Sequence, residues 1–402
     1  MTSFQLTRPQ QELQAEFRGL AVKCFRPFAG TADKLADLPP GFLEQPPIIG
    51  LIHALLPPDL GGGWLASTGR HDLSDPFLRL ILNEEMGYGD APLFAALPGL
   101  GLAMPILQAF GTPSQKQRVF APFLDQSRHC WAAFAMSEPS AGSDVSALST
   151  SARKEKDSYV LNGTKWFIGN GLRADWVVVF ATINPLLGRF GIRTFIVERG
   201  TPEFEASYGL PTMGFRALQI SQLKFQECRI PESNLLRTDE TKAGLDGGIM
   251  TFQQFRPTVA VMALGTARAA LEQASELVQQ NGARHSAARR WQNIREKLDF
   301  FQLRLRVARL LCWSTAWLKI SGKDNFAQVC MAKAFCAELV MESCAFAMDV
   351  AGVCAVTPDS SLERFFRNAK AFDLLEGTGD MQRLMLTKHL LRASEPNDAL
   401  ID

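Results

Sequence analysis

The chain has 402 residues, of which 47% are apolar and 21% charged, and its formal net charge is +1. That length suits two or three domains with a large core, and the near-neutral balance gives no electrostatic case for a nucleic-acid partner or an anionic membrane surface. No uninterrupted apolar run reaches the roughly 18–20 residues that span a bilayer. Met1-Thr2-Ser3-Phe4-Gln5-Leu6 lacks the basic-then-apolar pattern of a secretory signal. Neither membrane insertion nor export is therefore expected.

Residues 1–126 read as helical. Gln10 to Phe25 suits a helix, Pro57 to Gly63 is a break, and Leu78 to Met86 resumes helical spacing. Gly111-Thr112-Pro113-Ser114 ends one helix and opens another, with Thr112 or Ser114 as its cap. From 127 to 235 the period becomes that of strands. Tyr159-Val160-Leu161 and Thr164 to Ile168 flank Asn162-Gly163, a hairpin signal, and Trp176 to Phe180 reads as a buried strand. Thr194 to Val197 and Leu223 to Phe225 add further strands, so an antiparallel barrel or sandwich is expected. From 236 to 402 the chain is helical again. Pro257 suits the first turn of a long helix. Ile294, Leu298, Phe301, Leu305, Ala308 and Cys312 then recur in steps of four and three, as do Val329, Ala332, Cys336 and Leu339. Such seams mark a four-helix bundle. The expected fold is α+β and multidomain: an N-terminal helical domain (1–126), a middle β domain (127–235) and a C-terminal helical bundle (236–402).

The eight cysteines (Cys24, Cys130, Cys228, Cys312, Cys330, Cys336, Cys344 and Cys354) form no C-x-x-C pair. They read as buried thiols in a reducing, cytoplasmic setting. The five dispersed histidines give no ligand spacing, so no metal site is expected.

Two runs carry chemistry. In Asp373-Leu374-Leu375-Glu376-Gly377-Thr378-Gly379-Asp380, Gly377 interrupts one helix and Thr378 can cap the next, whose apolar positions begin at Met381, Leu384 and Met385. Glu376 is thus held at a break beside Leu374 and Leu375, where a carboxylate can act as a base toward a weakly acidic carbon. Taken alone, the run fits better an ordinary Glu at a helix junction. The second run, Trp131 to Val145, joins an apolar strand to the small-residue turn Ser140-Ala141-Gly142-Ser143, whose backbone N–H groups suit a phosphate or a flavin's polar edge.

Together these runs resemble the acyl-CoA dehydrogenases. Ser137-Glu138-Pro139-Ser140-Ala141-Gly142-Ser143-Asp144 is similar to that family's (T/S)-E-P-x-A-G-S-D run, Asn162 to Gly171 to its N-G-x-K-x-(W/F)-I-x-N-G element, and Glu376-Gly377-Thr378 to its E-G-T. Pro58 to Gly62, Phe110-Gly111-Thr112 with Lys116, Met213 to Arg216, Cys228 to Pro231 and Arg383 extend the likeness over nearly the whole chain. The resemblance implies FAD as cofactor and oxidation of an acyl thioester to its α,β-unsaturated product. By motif match Glu376 is the base, and its backbone N–H helps polarise the thioester carbonyl. Some family members carry the base just before an arginine on an earlier helix. Here Phe255 precedes Arg256, so that position supplies none.

Arg256 matches a ligand-side arginine; the alternative is a surface arginine at a helix start. Ser143, Arg256 and Gly377 fall on the substrate side. Phe134, Met136, Ser137, Ser143, Phe167 and Gly169 match flavin-side positions, with Phe167 as the aromatic covering the ring; the alternative for Phe167 is strand core. Thr378 and Asp380 match adenine- and ribose-side contacts. Gln292 matches a glutamine reaching the FAD of a neighbouring subunit.

Three departures stand out. Gly169 replaces a usual Thr or Ser. The stretch Asn281 to Arg290 lacks the R-x-x-F-G spacing, and of a G-G-x-G run only Gly352 remains. The last two fall on the FAD phosphate arm at a subunit interface, implying a differently held cofactor or a diverged assembly.

The implied partners are an acyl-CoA, an electron-transfer flavoprotein or other acceptor, and a second copy of the chain in a homodimer or homotetramer. The alternative substrate is an acyl or aminoacyl group tethered to a carrier protein, with O2 as acceptor. An acidic carrier would suit Arg284, Arg289, Arg290, Arg295, Arg304 and Arg306, although a solvated helix face is the better reading of them. A flavin-binding relative without dehydrogenase activity is a third reading, disfavoured by Glu376 and the near-neutral charge.

Overall fold

The computed structural model describes residues 5–57, 73, 75–125, 127–237, 244–282 and 289–394. The N-terminal part runs through α1 (Arg8–Leu20), a π-helical turn (Ala21–Phe25), α2 (Arg26–Leu35), α3 (Pro46–Ala54), α4 (Pro76–Ala95), α5 (Ala103–Phe110) and α6 (Pro113–Leu124). Thr112 is the cap of α6: its Oγ1 accepts from Gln115 N at 3.2 Å and its N donates to Gln115 Oε1 at 3.0 Å. The break expected from Pro57 to Gly63 lies, from Pro58 onward, outside the described residues. α4 kinks at Asp90, whose φ of −164° is extended, two residues before Pro92.

Seven strands follow: β1 (Ala132–Ala135), β2 (Ser151–Glu155), β3 (Ser158–Ile168), β4 (Trp176–Thr182), β5 (Ile192–Glu198), β6 (Phe204–Gly209) and β7 (Ser221–Pro231). They form one sheet in the order β1-β4-β2-β3-β7-β6, with β5 on the β4 edge. Most pairs are antiparallel as expected, but β2 meets β4 in parallel at Ser151 and Thr182, and β1 lies parallel to β4 throughout. The chain between those two strands passes through β2 and β3 rather than a tight turn, which frees them to align. β4 is buried throughout because it serves two cores. Trp176, Val178 and Phe180 face one cluster with Phe134 and Met136; Val177, Val179 and Ala181 face another with Phe195 and Leu223.

Asn162-Gly163 is not a hairpin turn. Both residues lie inside β3, at a bulge where the register against β7 shifts between Leu161 and Gly163. Asn162 is held by Glu227 in both directions, donating from Nδ2 to Oε1 and accepting at Oδ1 from the backbone N. Gly163 has φ 146°, and a Cβ there would meet Thr150 within 2.8 Å. The two-residue turn is Lys156-Asp157, between β2 and β3, with Lys156 at φ 48°.

The C-terminal part comprises α7 (Leu245–Gly282), α8 (Arg289–Ile320), α9 (Phe326–Ala351), α10 (Ser361–Leu374) and α11 (Gly379–Ser394). α7 begins twelve residues before Pro257, which sits inside it rather than at its first turn. The proline ring holds φ near the helical value but forgoes its own N–H bond and crowds the carbonyl one turn back, at about 3 kcal/mol or more. The buried run Val259 to Leu264 that follows packs strongly enough to carry the helix through.

The α8 and α9 seams are buried at Leu298, Phe301, Leu305, Ala308, Cys312, Val329, Ala332, Cys336 and Leu339. Through Val356, α9 is long and apolar enough to cross a membrane by length and composition. Lys333, Glu338 and Glu342 punctuate it, so no uninterrupted run appears in the sequence. Its packing against α8, α10 and α11 accounts for its apolar character. Seven of the eight cysteines are buried; Cys354 is exposed, against expectation.

By packing, the chain divides into two compact units. One draws on Met1–Thr31, Asp72–Phe94 and Arg256–Asp402; the other on Ala32–His71 and Ala95–Phe255. In the first unit α4 and α7 cross at two glycines. A Cβ on Gly87 would lie 2.2 Å from Met262 O, and one on Gly265 would lie 2.0 Å from Glu84 O. Buried Glu84 and Glu85 beside this crossing bind Arg268 at 2.5 and 2.6 Å, Arg309 meets Glu84 at 2.6 Å, and Arg18 meets Glu85 at 2.5 Å. α1, α4, α7 and α8 are thereby tied at one level. Gly265→Ala is expected to force the helices apart and lower stability by about 1–3 kcal/mol or more, read as a fall in the denaturation midpoint at unchanged slope.

Candidate active site

α10 closes with Leu375 N donating to Ala371 O at 2.9 Å. The next two residues are both left-handed, Glu376 at φ 57° and Gly377 at φ 98°. Only glycine fits comfortably at 377, where a Cβ would press on Gln382 Nε2 at 3.0 Å. Thr378 then caps α11, its Oγ1 accepting from Met381 N at 3.2 Å. Glu376 has no such ease: a non-glycine residue in this region carries roughly 1–3 kcal/mol of strain.

The surrounding bonds hold it there. Arg256 Nε donates to Glu376 O at 3.1 Å, and Lys333 Nζ donates to Asp373 O and Gly377 O, each at 2.8 Å. Gln382 Nε2 donates to Gly377 O at 3.1 Å, and Asp373 Oδ1 accepts from Gly379 N at 3.0 Å. Arg256 is 5% exposed, mid-helix in α7, which rules out the surface arginine at a helix start. α11 faces inward through Gln382, at 0% exposure, while Leu384 is exposed and Met381 and Met385 are only partly covered.

Glu376 as a whole is half-buried, yet its Oε2 is inaccessible and has no hydrogen-bond partner among the described residues. Burial pushes the carboxyl up to about 8, and Arg256 and Lys333 offset this only in part. Burial likewise pulls Lys333 down to about 8, against Asp373 and Glu376. This carboxyl is strained at its backbone, short of donors at its oxygen and strongly perturbed in pKa, and such groups cluster at functional sites.

In the second unit the two other motifs lie side by side. Glu138 and Lys165 form a fully buried pair at 2.7 Å, and Lys165 also donates to Met136 O at 3.0 Å. Ser149 N, Ser149 Oγ and Thr150 N donate to Glu138 at 2.7–2.9 Å. Burial opposes ionisation of Glu138, but Lys165 and these donors outweigh it and bring its pKa down to about 2. Trp166 N donates to Ser137 O at 2.9 Å, so the small-residue turn and β3 are stitched edge to edge.

On that frame Phe167 stands out from β3 in a left-handed conformation, φ 58° and 61% exposed, where the register against β7 slips between Lys165 and Ile168. It is therefore not strand core. Ser143 is exposed, and a Cβ on neighbouring Gly142 would meet nothing within 4 Å. The Phe134 ring packs against Phe180 and Phe252 at 5.0 and 5.5 Å, and the Met136 side chain is buried, so neither side chain is open to a ligand. A strained aromatic held in solvent beside open hydroxyl and amide groups fits a flat aromatic cofactor with polar edges, as a flavin is.

The structure thus gathers Glu376, Gly377, Thr378 and Arg256 in the first unit and Phe134, Met136, Ser137, Ser143, Phe167 and Gly169 in the second. Asp380 is exposed and pairs with Arg383 at 3.2 Å. Gln292 is exposed near the start of α8, donating to Glu296 at 3.2 Å, and Gly352 ends α9 at φ 66°. Arg284 and the side chains of Arg289 and Arg290 lie outside the described residues. Arg304 pairs with Glu342, while Arg295 and Arg306 are exposed. Lys333 and Gln382 were not legible as site residues in the sequence. The available signal was a polar residue falling on an apolar helical stripe.

Family models for the N-terminal, middle and C-terminal domains of acyl-CoA dehydrogenase match residues 7–127, 133–228 and 242–391. The chain is 34% identical over 394 residues to the mitochondrial short-chain specific acyl-CoA dehydrogenase of Rattus norvegicus, covering 97% of this chain and 92% of that one. Among solved structures it is similar to butyryl-CoA dehydrogenase from Megasphaera elsdenii, with a TM-score of 0.84, 28% identity, and 97% and 100% of the two chains covered. It is also similar to the prolyl acyl carrier protein oxidase AnaB, with a TM-score of 0.83, 27% identity, and 96% and 100% covered. The chain belongs to the acyl-CoA dehydrogenase family, oxidoreductases that act on CH–CH donors.

Proposed function

We propose that this chain oxidises an acyl thioester, in the first place an acyl-CoA, to the 2,3-enoyl thioester, with Glu376 as the base that takes the α-proton. The observation that carries this reading is the inaccessible, unpartnered Glu376 Oε2, its carboxyl pushed up to about 8 by burial. A base of that strength is better matched to a carbon acid than an exposed carboxylate is. FAD, when bound, supplies at N5 the acceptor for the β-hydrogen as hydride.

Gly377 and Arg256 lie on the substrate side, and the Glu376 N–H polarises the thioester carbonyl as the α-proton leaves. Ser137, Ser143, Gly169 and the backbone of Phe134 and Met136 hold the flavin, with Phe167 over the ring. Thr378, Asp380, Gln292 and Gly352 serve the adenylate and phosphate end. The domain boundaries assigned are 1–126, 127–235 and 236–402.

A second reading keeps the chemistry and changes the carrier. The likeness to a carrier-protein oxidase and the altered segments around Asn281 to Arg290 and Gly352 favour an acyl or aminoacyl group on a carrier protein, with O2 as acceptor. For acyl-CoA an electron-transfer flavoprotein is the acceptor. Anaerobic bleaching of the flavin with matched CoA and carrier-protein thioesters separates the two, since only the true carrier bleaches it rapidly. Glu376→Gln is expected to keep its FAD and lose at least about 10²–10⁴-fold in kcat/KM; full activity with a good substrate would remove Glu376 as base. Because the base must be ionised, kcat/KM should rise with pH through about 8 and fall away below it.

α8 also carries an exposed apolar stripe at Phe300, Leu303, Val307, Leu310 and Trp317, at steps of three, four, three and seven. That is the spacing of a helix seam seeking a partner helix, and it supports assembly as a homodimer or homotetramer. Val307→Glu is expected to shift sedimentation to a smaller species while leaving the helical circular dichroism intact; an unchanged species excludes this face.

A further inference from the structure

We propose that Lys333, on α9, is a positioning residue for this reaction: it clamps the backbone on either side of Glu376 and sets beside the carboxyl a positive charge that favours its ionised form. The inference rests on Glu376 being the base.

Lys333 is 1% exposed, and burying an ammonium is costly unless its donors are used. Two of its three donors are placed on Asp373 O and Gly377 O, both at 2.8 Å. These carbonyls bracket the left-handed break. Asp373 O belongs to the last turn of α10, where carbonyls lack helical partners, and Gly377 O is the first carbonyl after Glu376.

A purely structural plug would not require a lysine. Gln382 already donates to Gly377 O, Asp373 already ties Gly379 N, and Arg256 already holds Glu376 O. What Lys333 adds is a second buried positive charge. Among the described residues, Arg256 on α7 and Lys333 on α9 act on the carboxyl, with Cys330 on α9 beside Arg256 and Lys370 and Asp373 on α10 beside Lys333. Lys370 and Asp373 neutralise each other at 2.8 Å. Burial keeps the Cys330 thiol uncharged by raising its pKa. Arg256 carries a fixed charge. Lys333 is the remaining cation, and with both it and Glu376 brought to about 8 by burial, the two titrate as a pair.

The test compares Lys333→Met, Lys333→Arg and Glu376→Gln with the wild type, each as the FAD-loaded enzyme. It measures kcat, KM, the pH profile of kcat/KM, bound flavin and the melting temperature. Lys333→Met is expected to lose about 100-fold in kcat through misplacement of the base, with KM little changed. Its acid limb should move to higher pH, because the neighbouring cation that favours the carboxylate is gone. Lys333→Arg keeps the charge and should return the limb to the wild-type position, whatever its larger head group does to kcat. If Lys333→Met gives no soluble protein, Lys333→Gln replaces it. That neutral donor still reaches a carbonyl, and the same upward shift is expected.

An acid limb that stays at the wild-type pH in the neutral variant, with losses that follow the melting temperature alone, overturns the proposal and leaves Lys333 a structural plug. The base assignment fails separately, through an active Glu376→Gln. An inactive Glu376→Gln with an unmoved limb in Lys333→Met defeats only the role of Lys333.

Discussion

If Glu376 is the base proposed above, its carboxyl must leave water and still be able to ionise, and the bonds around it bear on that demand. Isolated in a low-dielectric setting, a carboxyl stays protonated and useless as a base. Fully paired, it becomes too weak to take a carbon-bound proton. The chain settles between these limits. Arg256 and Lys333 approach through the backbone carbonyls around Glu376 rather than through its oxygens, so they lend charge without capping the group. The left-handed backbone at 376 is what allows this, since it turns the carbonyl toward Arg256 and the next carbonyl toward Lys333. The strain is offset by charge-assisted bonds, which are roughly twice as strong as neutral ones.

Such an arrangement tolerates little drift in the helices that carry it. Arg256 lies nine residues before Gly265 on α7, about 13 Å along the helix axis at 1.5 Å per residue. The glycine crossing with α4 fixes the register of α7 to within van der Waals contact. The charged layer of Glu84, Glu85, Arg18, Arg268 and Arg309 then locks the same crossing laterally. Burial works against ionised Glu84, but Arg268 and Arg309 more than compensate and hold its pKa below the usual carboxylate range. A buried layer of this kind is weak evidence for stability as such. Its placement at the one level where four helices meet gives it a role in holding their mutual positions.

The parts that were legible in the sequence are those where a local pattern reports burial. The seams of α8 and α9 and the doubly buried β4 follow directly from apolar spacing, because core packing decides both the pattern and the structure. The misreadings share one origin, a local signal overruled by what packs against it. Asn162-Gly163 has hairpin chemistry, but Thr150 and Glu227 press it into a bulge. Pro257 has helix-start chemistry, but buried residues after it belong to a helix already under way. Lys333 and Gln382 were passed over because a polar side chain on an apolar stripe reads as a lapse toward solvent. Here both reach inward to one carbonyl, Gly377 O. Glu376 itself was found through its motif, but neither its left-handed backbone nor its orphaned Oε2 can be read from the letters E-G-T.

The same reasoning bears on Gly169, where the family pattern led to the expectation of a Thr or Ser. A Cβ at this position would meet Leu218 Cδ2 at 3.2 Å and Cγ at 3.3 Å, tighter than ordinary contact. Leu218 is in turn fixed: its carbonyl accepts from Asn170 N at 2.8 Å, and Phe215 and Gln219 on either side are both left-handed. Leu218 therefore closes on space that a side chain at 169 would need. Two residues from Phe167, position 169 thus offers its backbone N–H but no side-chain hydroxyl. Gly169 and Leu218 act as one unit, because a side chain placed at 169 also displaces its neighbour.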